Sequence, residues 1–351
     1  MVVYGHAGYR GWVPLVVGCA TTGVILFFFL SGFLMASHYL PDDSLKTRPL
    51  EALRYWLSFL ARRFVRVYPP FFFAPIVGLL ILMPNLPPDF EHAASGAAEA
   101  FDRVIRLVAF QASDAGIYWT IKVELTFYLL YPFLIAIFVF FRRSVWSLMA
   151  IFAGLAFLNH FRNGIGDLSW NVWLLSSEGG FIALFVAGVL TAVAKERLPA
   201  LPVLKPWHWN ALAGACLLLF FAAVGVLASF KPTWHQSWQK EWLFAPLLFV
   251  LFIALGRTDG AVSRLLSSRA GVMLGRASYS IYLTHIIAFA LLGRLLPHFQ
   301  NVLTGGLIVA AVATIYYVAV ERPFVRLSKR IRVSVRPPAS PVPAAAGAIT
   351  R

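Results

Sequence analysis

Charge is scarce in this chain. Of its 351 residues, 13% are charged and 60% hydrophobic, against about 25% and 45–50% in an average soluble domain. That deficit excludes a water-soluble globule with a charged exterior. Apolar runs of spanning length, roughly 17–25 residues, recur along almost the whole sequence, and the mean hydropathy is +0.75. Acidic residues are scarcer still: 15 Asp and Glu stand against 30 Lys and Arg, a net charge of +15. In a soluble protein this would suggest nucleic acid. Here it reads as the positive-inside bias of membrane loops with added attraction to anionic lipid heads, and no nucleic-acid partner is expected. Cysteine is nearly missing. Cys19 and Cys216 lie among apolar residues and form no disulfide or metal-ligand spacing, so they read as packing residues and no metal is expected. No basic segment precedes the first apolar run, so there is no secretory cleavage pattern. No internal repeat of the kind that marks many transporters is visible.

What is present is a series of spans, read at roughly 21–40, 68–86, 119–141, 144–160, 173–194, 208–229, 241–256, 278–296 and 301–320. MVVYGHAGY precedes them and is too short to cross a bilayer alone. The loops alternate in charge. Lys46, Arg48, Arg54, Arg62, Arg63 and Arg66 precede the second span, whereas the 87–118 loop carries Asp89, Glu91, Glu99, Asp102 and Asp114. Basic loops recur at Arg142–Arg143, at Lys195–Lys205, at Arg257–Arg276 and after Arg322. By the positive-inside rule these face the cytoplasm, as does the C-terminus. The expected fold is all-α: a polytopic transmembrane bundle of about ten helices, the first truncated at its N-terminus. Residues 333–351, rich in Pro and Ala, read as a disordered cytoplasmic tail.

Several residues stand out against this apolar background. Glu124 lies within YWTIKVELTFY, at the start of the third span. An intramembrane carboxylate is costly and is a functional candidate by default, with a structural interhelical hydrogen bond as the plainer reading. Thr120, Tyr128 and Tyr131 share its helix face, and Trp119 marks the outer interface. Lys122 points the other way and is shallow enough to snorkel outward. His6 has a similar expected depth on the same side, so His6 and Glu124 are a candidate general-base pair. A lone interfacial histidine is the alternative. Arg62 and Arg66 are spaced to share one face of a helix beside Arg63, which suits a phosphate-bearing ligand; topology alone also explains them. Ser31 is a nucleophile candidate, but a small residue at a close helix contact explains Ser31-Gly32 better. His285 reads as buried glue in preference to a place on the acceptor path. Glu321-Arg322 reads as a local ion pair fixing the last span.

Five segments in order resemble the acyltransferase-3 family of bacterial multi-pass membrane enzymes: FFFLSGFLMA (27–36), ARRFVRVYPPFF (61–72), WTIKVELTFYLLYPFL (119–134), LGRASYSIYLTH (274–285) and VERPFVRL (320–327). The resemblance covers residues 3–327 and implies O-acylation, mostly O-acetylation, of surface or secreted carbohydrate. It implies an integral-membrane acyltransferase domain over 1–332. It implies catalytic roles for His6 and Glu124, acyl-donor binding by Arg62, Arg63 and Arg66, and supporting roles for Trp119, Thr120, Tyr128, Ser31, Tyr279 and His285. Thr120 replaces the family's usual serine, and Lys122 departs from its pattern. The family also carries an arginine upstream of its first-helix histidine. The matching position falls before Met1, and a start assigned too late is the expected reason, since a half-helix cannot satisfy its backbone in lipid.

The implied reaction moves an acyl group, acetyl above all, from cytoplasmic acetyl-CoA or another acyl-CoA, a co-substrate and not a bound cofactor, to a hydroxyl of a glycan. Exopolysaccharide, lipopolysaccharide, oligosaccharide signal and glycosylated small molecule are all open as acceptors. Besides donor and acceptor, the expected partners are membrane lipids, and the expected place is the bacterial cytoplasmic (inner) membrane. Two other readings stand beside it: a transporter or flippase using Glu124, Lys122 and His285 as a polar path, and an inactive relative that senses or scaffolds.

Overall fold

The computed structural model describes residues 2–9, 19–41, 49–82, 102, 105–106, 108–109, 116–161, 181–197, 205–230, 243–257, 259–296, 298 and 301–331. The helices are α1 (Val2–Tyr9), α2 (Cys19–Tyr39), α3 (Pro49–Leu82), α4 (Trp119–Phe140), α5 (Val145–Phe161) and α6 (Ile182–Arg197). They continue as α7 (Pro206–Phe230), α8 (Ala245–Leu255), α9 (Ala261–Ser267), α10 (Arg269–Leu295), α11 (Val302–Tyr316) and α12 (Arg322–Arg330). No strand occurs among the described residues. Each expected span meets a helix, and among the described residues five stretches are long and apolar enough to cross a membrane: Thr22–Tyr39, Trp119–Phe140, Pro206–Ala223, Arg269–Leu295 and Val302–Arg330. The protein is an all-α integral membrane bundle. Most of the expected acidic loop at 87–118, the loops at 161–172 and 230–240, and the 333–351 tail lie outside the described residues.

The core forms around α6, whose residues from Ile182 to Ala194 are all buried. A helix apolar all round belongs inside, and α6 packs against α2, α5 and α8. Two glycines set the α2–α6 distance. A Cβ on Gly32 would lie 2.0 Å from the Phe185 carbonyl oxygen, and one on Gly188 would lie 2.0 Å from that of Phe29. The Ser31-Gly32 step is therefore a close backbone contact, as small residues in membrane helices predict. Around it Phe28, Trp119, Phe127, Phe181 and Phe185 form an aromatic seam joining α2, α4 and α6.

The second half of the bundle gathers α3, α10, α11 and α12. Helix α3 runs 34 residues through Pro69, Pro70 and Pro75, each lacking an N–H for the helical ladder. Phenols tie this stretch to its neighbours: Tyr279 donates to the Val67 carbonyl at 2.8 Å, and Tyr316 donates to that of Pro70. A π-helical turn, Tyr317–Glu321, links α11 to α12. There the expected Glu321–Arg322 ion pair is not formed. Consecutive helix residues point about 100° apart, so Arg322 is exposed while Glu321 turns inward. Its Oε2 accepts from the Ser280 N–H at 3.1 Å and the Ser280 hydroxyl at 2.5 Å.

Between α4 and α5, Arg142 and Arg143 take left-handed backbone at φ 52° and 58°. The turn is held from both sides: the Arg143 guanidinium donates to the Pro41 carbonyl at 2.5 Å, and Arg197 donates to the Arg143 carbonyl. This basic turn thus joins the ends of α2, α4 and α6. Short α1 packs on α2 and α10, and that placement decides which residues His6 meets.

Candidate functional site

His6 sits on α1, and its Nδ1 lies 2.9 Å from Nε2 of His285 on α10. The two rings meet edge to edge, with centroids 5.0 Å apart and planes 26° apart. His285 is fully buried, and its Nδ1 lies 2.7 Å from the Tyr282 carbonyl oxygen. Tyr282 and Phe289, one turn to either side, pack on the His285 ring.

From the histidines a polar run continues along the α4–α10 contact. Tyr118 donates to the Leu283 carbonyl at 3.1 Å, and the Thr120 and Tyr282 hydroxyls are 2.7 Å apart. Both hydroxyls also lie at the Ile117 carbonyl, which accepts from Tyr282 and, at 3.4 Å, from Thr120. Burial pushes the Tyr118 phenol up, which keeps its hydrogen on the Leu283 carbonyl. One turn beyond Thr120, the buried Glu124 accepts from Tyr128 through Oε1. Its Oε2 has no hydrogen-bond partner among the described residues.

The expected pairing of His6 with Glu124 is not formed. The Glu124 Oε1 is taken by Tyr128 and its Oε2 has no hydrogen-bond partner among the described residues, whereas the His6 Nδ1 meets His285. Depth read from sequence placed the two groups on one level, but α1 faces α2 and α10. The residue that meets His6 is His285, assigned to packing on sequence. Its signal was present: an ionisable side chain inside an apolar span is a functional candidate by default.

Glu124 belongs instead with the arginines. The Arg63 guanidinium lies over the Tyr39 ring at 4.7 Å and the Tyr128 ring at 5.6 Å. Glu124 and Arg63 share the Tyr128 side chain, the carboxyl at its hydroxyl and the guanidinium over its ring. Arg62 points to Tyr39 at 5.8 Å. Arg66 is exposed and Arg62 and Arg63 are half-buried, and the Arg63 Nε is buried with no hydrogen-bond partner among the described residues. The i, i+4 spacing of Arg62 and Arg66 puts them on one face but does not say which face turns inward.

The remaining expected residues divide clearly. Thr120, Tyr128 and Tyr131 line the buried Glu124 face of α4 as the helix period requires. Trp119 stacks on Phe181 within the aromatic seam. Tyr279 ties α10 to α3. Ser31 is half-buried and joins none of the polar contacts around His6 among the described residues. Lys122 is half-buried on another side of α4, and nothing in the structure explains the choice of lysine there. Beside the polar run lies a half-open, mainly apolar cavity of about 330 Å³, walled by α1, α2 and α10. Val2, Phe27, Thr120, Ser278, Tyr279 and Tyr282 are among the residues facing it.

Known proteins resemble the chain over most of its length. A family model described as an acyltransferase domain matches residues 1–320. The exopolysaccharide production protein ExoZ of Rhizobium meliloti (strain 1021) is 30% identical over 349 residues, covering 94% of this chain and 96% of that protein. No solved structure matches the chain. With that coverage, and with the five segments in order on one helical bundle, the chain belongs to the acyltransferase-3 family and is a membrane acyltransferase.

Proposed function

We propose that this protein transfers an acyl group, specifically acetyl, from acyl-coenzyme A on the cytoplasmic side of the bacterial inner membrane to a hydroxyl of an exported or surface polysaccharide. The name of the ExoZ relative, which speaks of exopolysaccharide production, supports a polysaccharide acceptor. The basic residues around α3, α9 and α12 support a cytoplasmic face at that end of the bundle, with the C-terminus on the same side.

In this reading Arg62, Arg63 and Arg66 hold the phosphates of the donor, for which guanidinium forks suit better than ammonium groups. The slender pantetheine arm lies along the cavity beside α10, where Ser278, Tyr279 and Tyr282 are polar groups within reach of its amides. His6 removes the proton of the acceptor hydroxyl, the oxygen attacks the thioester carbonyl, and the imidazolium returns the proton to the leaving thiolate. Glu124 acts nearer the donor. With Tyr128 it holds the inner end of the arginine group, opposite the charge that the donor brings.

The observation that carries this reading is the run of polar side chains, most of them buried, from Arg63 through Tyr128, Glu124, Thr120 and Tyr282 to His285 and His6, with an apolar cavity along its flank. Polar groups that deep in a membrane protein are expensive to keep. Glu124 Oε2, Arg63 Nε and the Tyr131 hydroxyl are buried without partners among the described residues, which suits a site that a polar molecule enters.

Deleting the gene and comparing surface and secreted glycans by mass spectrometry tests the proposal. A polysaccharide that loses one acetyl increment per modified sugar is the expected result. Unchanged acylation of every glycan class would overturn it.

A further inference from the structure

We propose that His285 is a positioning residue that fixes the tautomer of His6, holding the His6 proton on Nδ1 so that Nε2 carries the basic lone pair. The inference rests on the reading of His6 as the base and adds to it the atom that acts and the residue that selects it.

A backbone carbonyl only accepts hydrogen bonds. The Tyr282 carbonyl lies 2.7 Å from His285 Nδ1, so that nitrogen carries the hydrogen. In the neutral imidazole, Nε2 is then an acceptor with an in-plane lone pair. His6 Nδ1 is 2.9 Å from that lone pair, and two lone pairs do not face each other at that distance. His6 Nδ1 is therefore the donor, and the His6 lone pair is on Nε2. Three atoms in sequence, carbonyl oxygen, His285 and His6, settle the tautomer of the last from the geometry of the first.

The fold makes this arrangement rigid at its inner end and less so at its outer end. His285 is fully buried, with Tyr282 and Phe289 packed on its ring one turn to either side. Its accepting carbonyl belongs to the same helix, so the ring and its anchor move together. His6 stands on short α1, half-buried, and receives its orientation from α10. In the serine hydrolase triad a carboxylate performs this selection, and the wrong tautomer there costs about 10⁴ in rate. Here a neutral imidazole takes that place. It selects the tautomer, and when His6 gains a proton at Nε2 the Nδ1–H bond to His285 becomes charge-assisted and stronger.

This distinguishes His285 from a residue that merely fills space. A glutamine at 285 offers a carbonyl oxygen that still accepts from His6 Nδ1, whereas leucine fills the site and accepts nothing. The test uses the full chain in membranes, with acetyl-coenzyme A as donor and polysaccharide purified from the deletion strain as acceptor. Expected for His285→Leu is a fall of about 100-fold or more in kcat with the donor KM within about twofold. His285→Gln is expected to keep at least about a tenth of wild-type kcat. A kcat for His285→Leu within about threefold of wild type, or equal losses in both variants, overturns the proposal. If the leucine variant fails to insert, nitrogen NMR of the wild-type protein with labelled histidine decides, His6 being assigned by its loss in His6→Ala. A pyridine-type signal from His6 Nε2 is expected, and one from Nδ1 contradicts the proposal. Full activity in His6→Ala is a separate outcome that removes the base assignment while leaving the tautomer readable.

Discussion

The phenol of Tyr128 donates to Oε1 of Glu124 one helical turn away on α4, and the same ring carries the Arg63 guanidinium on its face. A buried carboxylate in a membrane helix is thus held by a hydrogen bond and flanked by positive charge. Removing the phenol leaves the Glu124 carboxyl without its hydrogen-bond partner, at a cost of about 1–3 kcal/mol for a buried polar group. Tyr128→Phe is expected to lower the thermal stability of the detergent-solubilised protein. Glu124→Gln, which keeps the shape, is expected to cost activity at least about tenfold with a smaller loss of stability. Thermal unfolding followed by size-exclusion fluorescence, together with transfer assays, separates the two effects. A fully active Glu124→Gln would reduce the residue to structure.

Arg63, and not Arg62, is expected to dominate donor binding. Arg63→Ala should raise the apparent KM for acyl-coenzyme A about tenfold or more, and Arg62→Ala by less. Arg63→Lys should not restore binding, because lysine lacks the planar fork that stacks between Tyr39 and Tyr128. Initial rates against donor concentration give the comparison. An Arg62→Ala variant with the larger effect would contradict the inward placement of Arg63.

Much of this was legible before any coordinates, and the limit has a physical cause. Hydropathy placed the spans because lipid imposes length and polarity on every helix. The helix period put Thr120, Glu124, Tyr128 and Tyr131 on one buried face. Small residues marked the Gly32 contact. Depth along the membrane was readable, but direction around each helix axis was not. That is why His6 was matched with Glu124 when α1 turns it toward His285, and why Glu321 was given to its neighbour when it reaches Ser280 on α10. Pairings across a bundle depend on which helices touch, and no single span encodes that.

The Gly32 contact makes a stability prediction. A Cβ there meets the Phe185 backbone at 2.0 Å, and backbone does not yield as a flexible side chain does. Gly32→Ala should destabilise the protein by about 1–3 kcal/mol or more, seen as a lower melting temperature and reduced monodisperse yield. Gly154→Ala on α5 meets nothing within 4 Å. It should be neutral or stabilising, by up to about 1 kcal/mol of helix propensity. Equal behaviour of the two variants would contradict the close α2–α6 packing.

The Glu321–Ser280 link predicts a coupled effect. Ser280→Ala removes the hydroxyl and Glu321→Leu the carboxylate, so each breaks the hydroxyl–carboxylate bond, with an expected loss of about 1.5–3 kcal/mol. The double variant should cost less than the sum of the two, since they share one interaction. Additive losses in a double-mutant cycle on thermal stability would show that the two residues act separately.

The central claim is that His6 is the base of an acyl transfer within this bundle. Its most direct measurement is the movement of labelled acetyl from acetyl-coenzyme A to purified polysaccharide in vesicles carrying either the wild-type chain or His6→Ala. The account predicts transfer by the wild type and a loss of at least about 100-fold in His6→Ala, with both proteins inserted in equal amounts. Equal transfer by the two, or none by an intact wild type offered donor and acceptor, would contradict it.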